Sequence, residues 1–452
     1  MRNIIVVSML FFLYILFFTD FTLWETISFG MFCYFFLELL FRLGNKVVVL
    51  DLIIISAVFT WLVMPVIFYH VYPKENFLAR LWLRYMPIPS DEYFTFAVPS
   101  TVSMIIGLRV PLGRLHINSN PKIYIENVKK ILALRPQTGM ILIIVGVVSS
   151  FFRFLFPVSL DQMFYLFSHL TYVGFFYIVY SPNKYKRIVV SSVIALLVGQ
   201  ALATGMFGEM IYMMALMFTL AIFGKKISFQ SKLSFTMLAF IFVIVLQSVK
   251  QDYRKRSWTE GAGADPFYFA ELIGDRLADP GTLMDPNKLF FIGVRFNQGW
   301  LAAKTMKMVP EKYPFANGET IWQSILASIV PRFLWPDKPE AGGRDNLKRF
   351  WGYKLEGYSM NIGPAGEGYA NFGVMGGIIY MFFYGLLFNL LLSLILKWAE
   401  KRPTVILWLP FLFLYVISVE TDLLTTMNAI IKTTFFVFVV FKLFKSIFRV
   451  EL

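Results

Sequence analysis

The sequence predicts an all-α polytopic integral membrane protein of about twelve membrane-crossing helices, with one large, partly helical loop. Three observations carry that prediction. Of the 452 residues, 58% are hydrophobic and only 15% charged, a balance beyond what soluble domains hold. Apolar stretches near the roughly 17–25 residues that cross the hydrocarbon core recur along the chain. The charges are also gathered unevenly, because residues 250–368 alone carry 16 Lys/Arg and 14 Asp/Glu.

The apolar run after Met1-Arg2-Asn3 has no small-residue cleavage site and leads into further apolar stretches, so it reads as the first span rather than a signal peptide. Spans follow at roughly 22–42, 48–70, 93–110, 139–157, 160–180, 188–204, 206–223 and 232–249, with Pro99 interrupting the fourth. Residues 1–249 thus form an N-terminal bundle of about nine spans, and 250–368 form the loop. A C-terminal bundle over 369–452 adds about three spans, near 369–396, 404–419 and 425–444.

Alternate connections sort by charge. One set carries Arg42 and Lys46, then Arg114 through Arg135, then Lys184 to Arg187, Lys225 and Lys226, Lys397 to Arg402, and the tail to Arg449. The other set turns around Asp20, Asp161, Gly205 and Thr421 without Lys or Arg. Basic connections stay in the cytoplasm, which places both termini there and the long loop outside it. A smaller loop on the same side, about 71–92, carries Lys74, Arg80 and Arg84.

The long loop is patterned. Trp322, Ile325, Leu326 and Ile329 follow helical spacing, Leu289 to Val309 is a second helical candidate, and Pro331 and Pro336 bracket a turn. Its length also exempts its basic start, Lys250 to Arg256, from the charge rule.

Several functional classes are excluded. The lone Cys33 rules out a disulfide framework, and three histidines without ligand spacing argue against zinc or haem. The net charge of +14 lies in short clusters between spans rather than on a basic, aromatic-interleaved face, so no nucleic acid partner is expected. No phosphate-binding lysine loop, dinucleotide fingerprint or metalloprotease helix occurs.

Ionisable groups inside spans are costly and mark candidate sites. Most fall toward the loop side: Glu25, Arg153, Glu209, Lys250, Glu420 and Asp422, with Lys432 deeper and without an assignable partner. On the other side, Glu38 precedes Arg42 by four residues, a local helical pair, and Asp51 opens a span. The asymmetry predicts a polar chamber roofed by the loop. Arginine suits bidentate binding of phosphate oxygens, and the loop side offers Arg254, Arg256, Arg276, Arg295, Arg332 and Arg344, with Lys250 and Lys338. Tryptophans such as Trp335 offer flat surfaces for sugar rings, and Glu367, Glu209 or Asp252 could accept a proton from an attacking hydroxyl. The same residues also have plain structural readings, as interfacial anchors and loop ion pairs. Gly373 and Gly377 have the spacing of close helix packing.

The Gln251-Asp252-Tyr253-Arg254 span exit, Arg295-Phe296-Asn297-Gln298, Gly318-Glu319-Thr320 and the segment Ser328 to Pro339, with its Pro-Arg-Phe-Leu-Trp-Pro-Asp-Lys-Pro core, form a pattern over residues 245–396. It resembles the bacterial oligosaccharide repeat-unit polymerases, the Wzy-like O-antigen and capsule polymerases. The resemblance implies a GT-C-like fold in the bacterial inner membrane. It also implies transfer of a growing glycan from undecaprenyl diphosphate onto a new lipid-linked repeat unit, without metal or cofactor. Diphosphate binding would then fall to Arg254, Arg295 and Arg332, assisted by Arg153, Lys250, Lys338 and Arg344, with Glu367 activating the acceptor. Partners would be the lipid-linked glycans, the bilayer and a chain-length regulator. An O-antigen ligase shares the topology, and a lipid-linked oligosaccharide flippase is the alternative from another class.

Overall fold

The computed structural model describes residues 2–112, 120–153, 155, 156, 158–259, 263, 265–354, 356, 359–447 and 452. Arg114 and Arg449, both used above to orient the chain, lie outside them. Every regular element among the described residues is helical. In order these are α1 (Arg2–Phe18), α2 (Leu23–Arg42), α3 (Val49–Val71), α4 (Phe77–Leu81), α5 (Ser90–Arg109), α6 (Pro121–Leu134) and α7 (Thr138–Phe152). Then come α8 (Val158–Ser168), α9 (Leu170–Tyr180), α10 (Lys186–Thr204), α11 (Phe207–Ala221) and α12 (Phe229–Arg254). Residues of the long loop form α13 (Pro266–Ala278), α14 (Pro286–Phe296), α15 (Gly299–Met308), α16 (Glu319–Ile329) and α17 (Arg344–Trp351). The chain closes with α18 (Gly363–Lys401), α19 (Leu409–Phe413) and α20 (Leu423–Ile447).

Seven helical stretches are long and apolar enough to cross a membrane: Leu23–Arg42, Val49–Val71, Leu160–Tyr180, Lys186–Thr204, Phe229–Trp258, Gly363–Lys401 and Leu423–Ile447. An eighth arises if α6 and α7, bent by 80° against each other, count as one broken span. The other expected spans coincide with helices that are shorter, such as Phe207–Ala221 and Pro403–Phe413, or more polar. The stretch expected at 93–110 is of the polar kind. It forms α5, an unbroken helix in spite of Pro99, and buries Tyr93, Phe94, Phe96, Met104 and Leu108 in the bundle.

Local chemistry sets several helix ends. Thr22 and Glu25 form a reciprocal cap at the start of α2, with Thr22 N–H donating to Glu25 Oε2 at 2.9 Å. Asp265 and Asp285 accept backbone N–H bonds ahead of Pro266 and Pro286, the two features that favour a helix start. The loop is shorter than its polarity suggests. Helix α12 continues through Lys250 to Arg254 and into a wider turn over Lys255–Thr259, and α18 already starts at Gly363. The candidate helix Leu289–Val309 is two helices, because Asn297 breaks it.

Helix α18 is the spine of the fold and is itself broken. Gly373 has φ 67° and ψ −159°, a conformation open to glycine alone. The break folds the short arm, Gly363–Phe372, back beside the long arm. A side chain at Gly377 would come within 3.2 Å of the Gly368 carbonyl carbon, far nearer than nine residues of straight helix permit. The Gly373–Gly377 spacing therefore serves packing within one helix as well as against Phe96 of α5, which would lie 2.9 Å from the same side chain.

Candidate functional site

The helices run so that their charged ends separate into two groups. The starts of α2, α11, α18 and α20 and the ends of α3 and α12 meet at the end of the bundle from which the loop emerges. Glu25 there bonds His70 at 3.2 Å and Ser90 at 3.0 Å. At the opposite end Arg109 holds Glu38 at 2.9 Å and Asp51 at 2.7 Å, and Arg42 holds the same two acids at 2.6 and 3.1 Å.

The loop end contains a cavity of about 430 Å³ lined by Arg84, Arg295, Asn297, Gln298, Trp300, Asn361 and Glu420, among others. The sequence Arg295-Phe296-Asn297-Gln298-Gly299-Trp300 builds much of it. Asn297 ends α14, and its Oδ1 accepts the Trp300 N–H at 3.1 Å, starting α15. A helix, a break and a helix thus aim Arg295 and Trp300 into one space. Arg84 stacks over Trp300 at 4.2 Å, within cation–π range. Arg295 donates to Glu420 at 2.9 Å, and Tyr212 donates to the other oxygen of Glu420 at 2.8 Å. Burial opposes the charge of Arg295, but Glu420 and Tyr212 more than restore it, so its pKa is raised and it stays cationic. Lys250 lies within electrostatic reach of Arg295, Arg254 and Glu420. Arg254 donates to the Gly205 carbonyl at 2.8 Å and stacks over Trp258 at 4.4 Å. Arg295 and Lys250 therefore share one carboxylate, and Arg254 adds a third positive charge beside them.

Beside this cavity sits a buried pair of acids. Glu367, fully enclosed, accepts from the Leu423 N–H at 2.7 Å and from Asn346 Nδ2 at 3.3 Å. The same Asn346 nitrogen donates to Asp422 at 3.3 Å, and the Thr425 N–H donates to Asp422 at 2.9 Å. Asp422, unlike Glu367, lines a second cavity of about 340 Å³ together with Asn346, Asp345, Lys348 and Arg349. Burial, with Asp345 adding to it, raises the Asp422 pKa above the usual carboxylate range. Among the described residues, no three His, Cys, Asp or Glu side chains converge as metal ligands.

The predicted residues divide into separate groups. Arg295 reaches the larger cavity, with Lys250 and Arg254 grouped about it. Glu367 is fully enclosed and lines neither cavity. Arg153 is engaged elsewhere, paired with Asp161 at 2.8 Å and stacked on Tyr165. Arg332, Trp335 and Lys338 occupy the turn after α16, where Arg332 bonds the Pro336 carbonyl at 2.9 Å and Lys338 the Ala327 and Val330 carbonyls at 2.5 and 2.7 Å. Arg344 is exposed at the start of α17 and lines neither cavity. The other two candidate bases are also committed: Asp252 to Arg276 at 2.8 Å, and Glu209 to Tyr165 and His169. Arg84, Tyr212 and Asn346 were not candidates, and Asp422 was marked as an ionisable group without a role. Arg84 and Asp422 stood out only as charges in short connections, and no spacing in the sequence joins any of the four to Arg295 or Glu367.

Fold and site together define a helical membrane protein with a cation-rich cavity and a buried acid pair where its longest loop meets the bundle. The chain belongs to the family of a domain of unknown function, DUF8712, whose model matches residues 101–402. The matched stretch runs from α5 to the end of α18 and includes both arms of the broken helix. No curated protein and no solved structure matches the chain.

Proposed function

We propose that this protein is a glycosyltransferase, an oligosaccharide repeat-unit polymerase using undecaprenyl-diphosphate-linked substrates at the outer face of the bacterial cytoplasmic membrane. The observation that carries the reading is Arg295, fixed by Glu420 and Tyr212 at the wall of a cavity where cations outnumber carboxylates. In the transfer, an acceptor hydroxyl attacks the anomeric carbon of the donor glycan as the bond to the diphosphate oxygen breaks. The diphosphate leaves with its growing charge, which fixed guanidinium groups stabilise without reorganising. Trp300, presented beside Arg295, suits a sugar ring. The acceptor proton passes to a carboxylate. Asp422, two residues from the Glu420 that fixes Arg295, takes that role ahead of the enclosed Glu367: it borders the smaller cavity, where the acceptor would lie, and Asn346 bonds both acids. In this reading the fold is GT-C-like, the termini are cytoplasmic and a chain-length regulator meets the loop.

The glycan profile of a deletion strain tests the proposal. Single repeat units on the acceptor lipid are expected. Full-length polymer stranded on its carrier would instead mark a ligase, and an unchanged profile would exclude both. The interrupted helix at Gly373 supports a second reading, since broken helices line substrate sites in transporters. Lipid-linked intermediates trapped on the cytoplasmic leaflet of the deletion strain would favour it.

A further inference from the structure

A second cationic cluster lies outside the cavities, on the flank of α20. Helix α16 packs along α20 with a narrow face of Thr320, Ser324, Ala327 and Ser328. This turns its larger residues outward: Trp322 and Ile329 are exposed, and the following turn projects Phe333 and Leu334 at 80% and 68% exposure. Lys338 Nζ bonds the Ala327 and Val330 carbonyls, which holds this turn at the end of the helix that packs along α20 and brings Arg332 and Lys338 within electrostatic reach of Lys432. Lys432 lies about 13 Å along the helix from Leu423 at 1.5 Å per residue. It is exposed on the face that also presents Phe435 and enters no hydrogen bond or ion pair among the described residues. The acid nearest the cluster, Glu340, stands 4.0 Å from Arg332 and is itself largely exposed. Asp337 is exposed and pairs with nothing described.

A charge inside an apolar span needs a counter-charge, and here the neighbouring side chains supply more positive charge instead. Glu340 is exposed and reaches Arg332 alone, so Lys432 is left open to an anion from outside the chain. The exposed apolar residues beside the cluster, Phe333, Leu334, Trp322 and Ile329, favour an anion that arrives on a lipid, whose chains they can pack against. The site holds no carboxylate pair of the kind enclosed at Glu367 and Asp422, which points to a resident lipid rather than a reacting one.

We infer that Arg332, Lys338 and Lys432, rimmed by Phe333, Leu334, Trp322 and Ile329, bind the phosphate headgroup of an anionic glycerophospholipid on the flank of α20. The inference rests on the membrane-spanning character of α20 and not on glycan transfer, so the two can fail separately. The test uses the purified full chain in uncharged detergent, with its thermal unfolding midpoint followed as phosphatidylglycerol is added. Phosphatidylcholine, inorganic phosphate and undecaprenyl diphosphate are parallel arms. Phosphatidylglycerol should raise the midpoint and the first two controls should not. Lys432→Met, a change on an exposed face that leaves the fold intact, should weaken the apparent affinity about tenfold, the scale of one lost charge-assisted contact. Arg332→Gln should do the same, and Lys312→Gln, exposed elsewhere on the loop, should change nothing. Equal shifts from phosphatidylcholine or inorganic phosphate would overturn the assignment. So would undiminished affinity in Lys432→Met, or a shift produced by the polyprenyl diphosphate alone.

Discussion

The two ends of the bundle handle charge in opposite ways. Away from the loop, Glu38 and Asp51 are matched by Arg42 and Arg109 in a compact set of two acids and two bases. Three of their four contacts cross between helices and tie α2, α3 and α5 together, and neither cavity touches them. At the loop end, Arg295 has one carboxylate partner and two further cations in reach, and an open space lies beside it. Balanced charge with no room beside it is an internal clamp. Surplus charge around a cavity is a vacancy for an anion. The difference separates groups that hold the protein together from groups available to a substrate, though both are charged side chains at helix ends.

Substitutions at the two ends should therefore separate stability from activity. The largest effect is expected for Arg295→Ala, which should reduce polymer formation about 100-fold or more, the scale of losing a preorganised donor to a developing anion. Membrane insertion should be unchanged and the unfolding midpoint should fall less than in the clamp variants, because Lys250 stays within reach of Glu420. A midpoint collapse equal to that of the clamp variants would erase the distinction. Next, Arg109→Ala leaves Glu38 and Asp51 short of a partner, at a cost of about 3 kcal/mol for a broken buried pair. Unfolding in detergent should show this loss, with the products formed per folded molecule unchanged.

Gly373→Ala comes third. Forcing a side chain into that conformation costs about 1–3 kcal/mol, readable in the same unfolding assay. An unaffected variant would mean that the break in α18 survives without glycine. Asp422→Asn follows, and its effect depends on pH. A raised pKa makes the folded state hold its proton longer than the unfolded state does. Stability attributable to Asp422 is thus retained at low pH and declines as pH rises from the ordinary carboxylate range to the raised value. The variant should lose that decline and lose the ascending limb of activity over the same interval. A parent limb at or below the ordinary aspartate pKa would contradict the assignment. Smallest of all, Arg153→Gln breaks a partly exposed pair with Asp161 and should change stability by less than about 1 kcal/mol.

The clamp was readable in advance because its core is local. Glu38 and Arg42 sit one helical turn apart, and helix spacing alone brings them together. Arg109 was invisible as the fourth member, since only the packing of α5 supplies it. The helical pattern of Trp322 to Ile329 correctly marked α16 but not its facing. Apolar residues usually turn inward in soluble proteins, yet here the buried positions are the small Thr320, Ser324, Ala327 and Ser328, while Trp322 and Ile329 face out. The arginines showed the same limit. Residue type marked Arg254, Arg295 and Arg332 equally, and nothing in a linear sequence says that α16 carries Arg332 to another flank. Asp422 was noticed as a charge, but its companionship with Glu367 depends on Asn346, a residue no spacing rule selects.

Glu420 and Asp422 are separated by one residue, and they open onto different spaces. Glu420 and Thr421 line the larger cavity, while Asp422 lines the smaller one. Consecutive residues of one connection, their α-carbons about 3.8 Å apart, thus contribute to both chambers. A crankshaft rotation of this single peptide link would turn a carboxylate away from one chamber and alter the lining of the other. A ligand that reoriented this link from either side would therefore change the lining of both chambers at once.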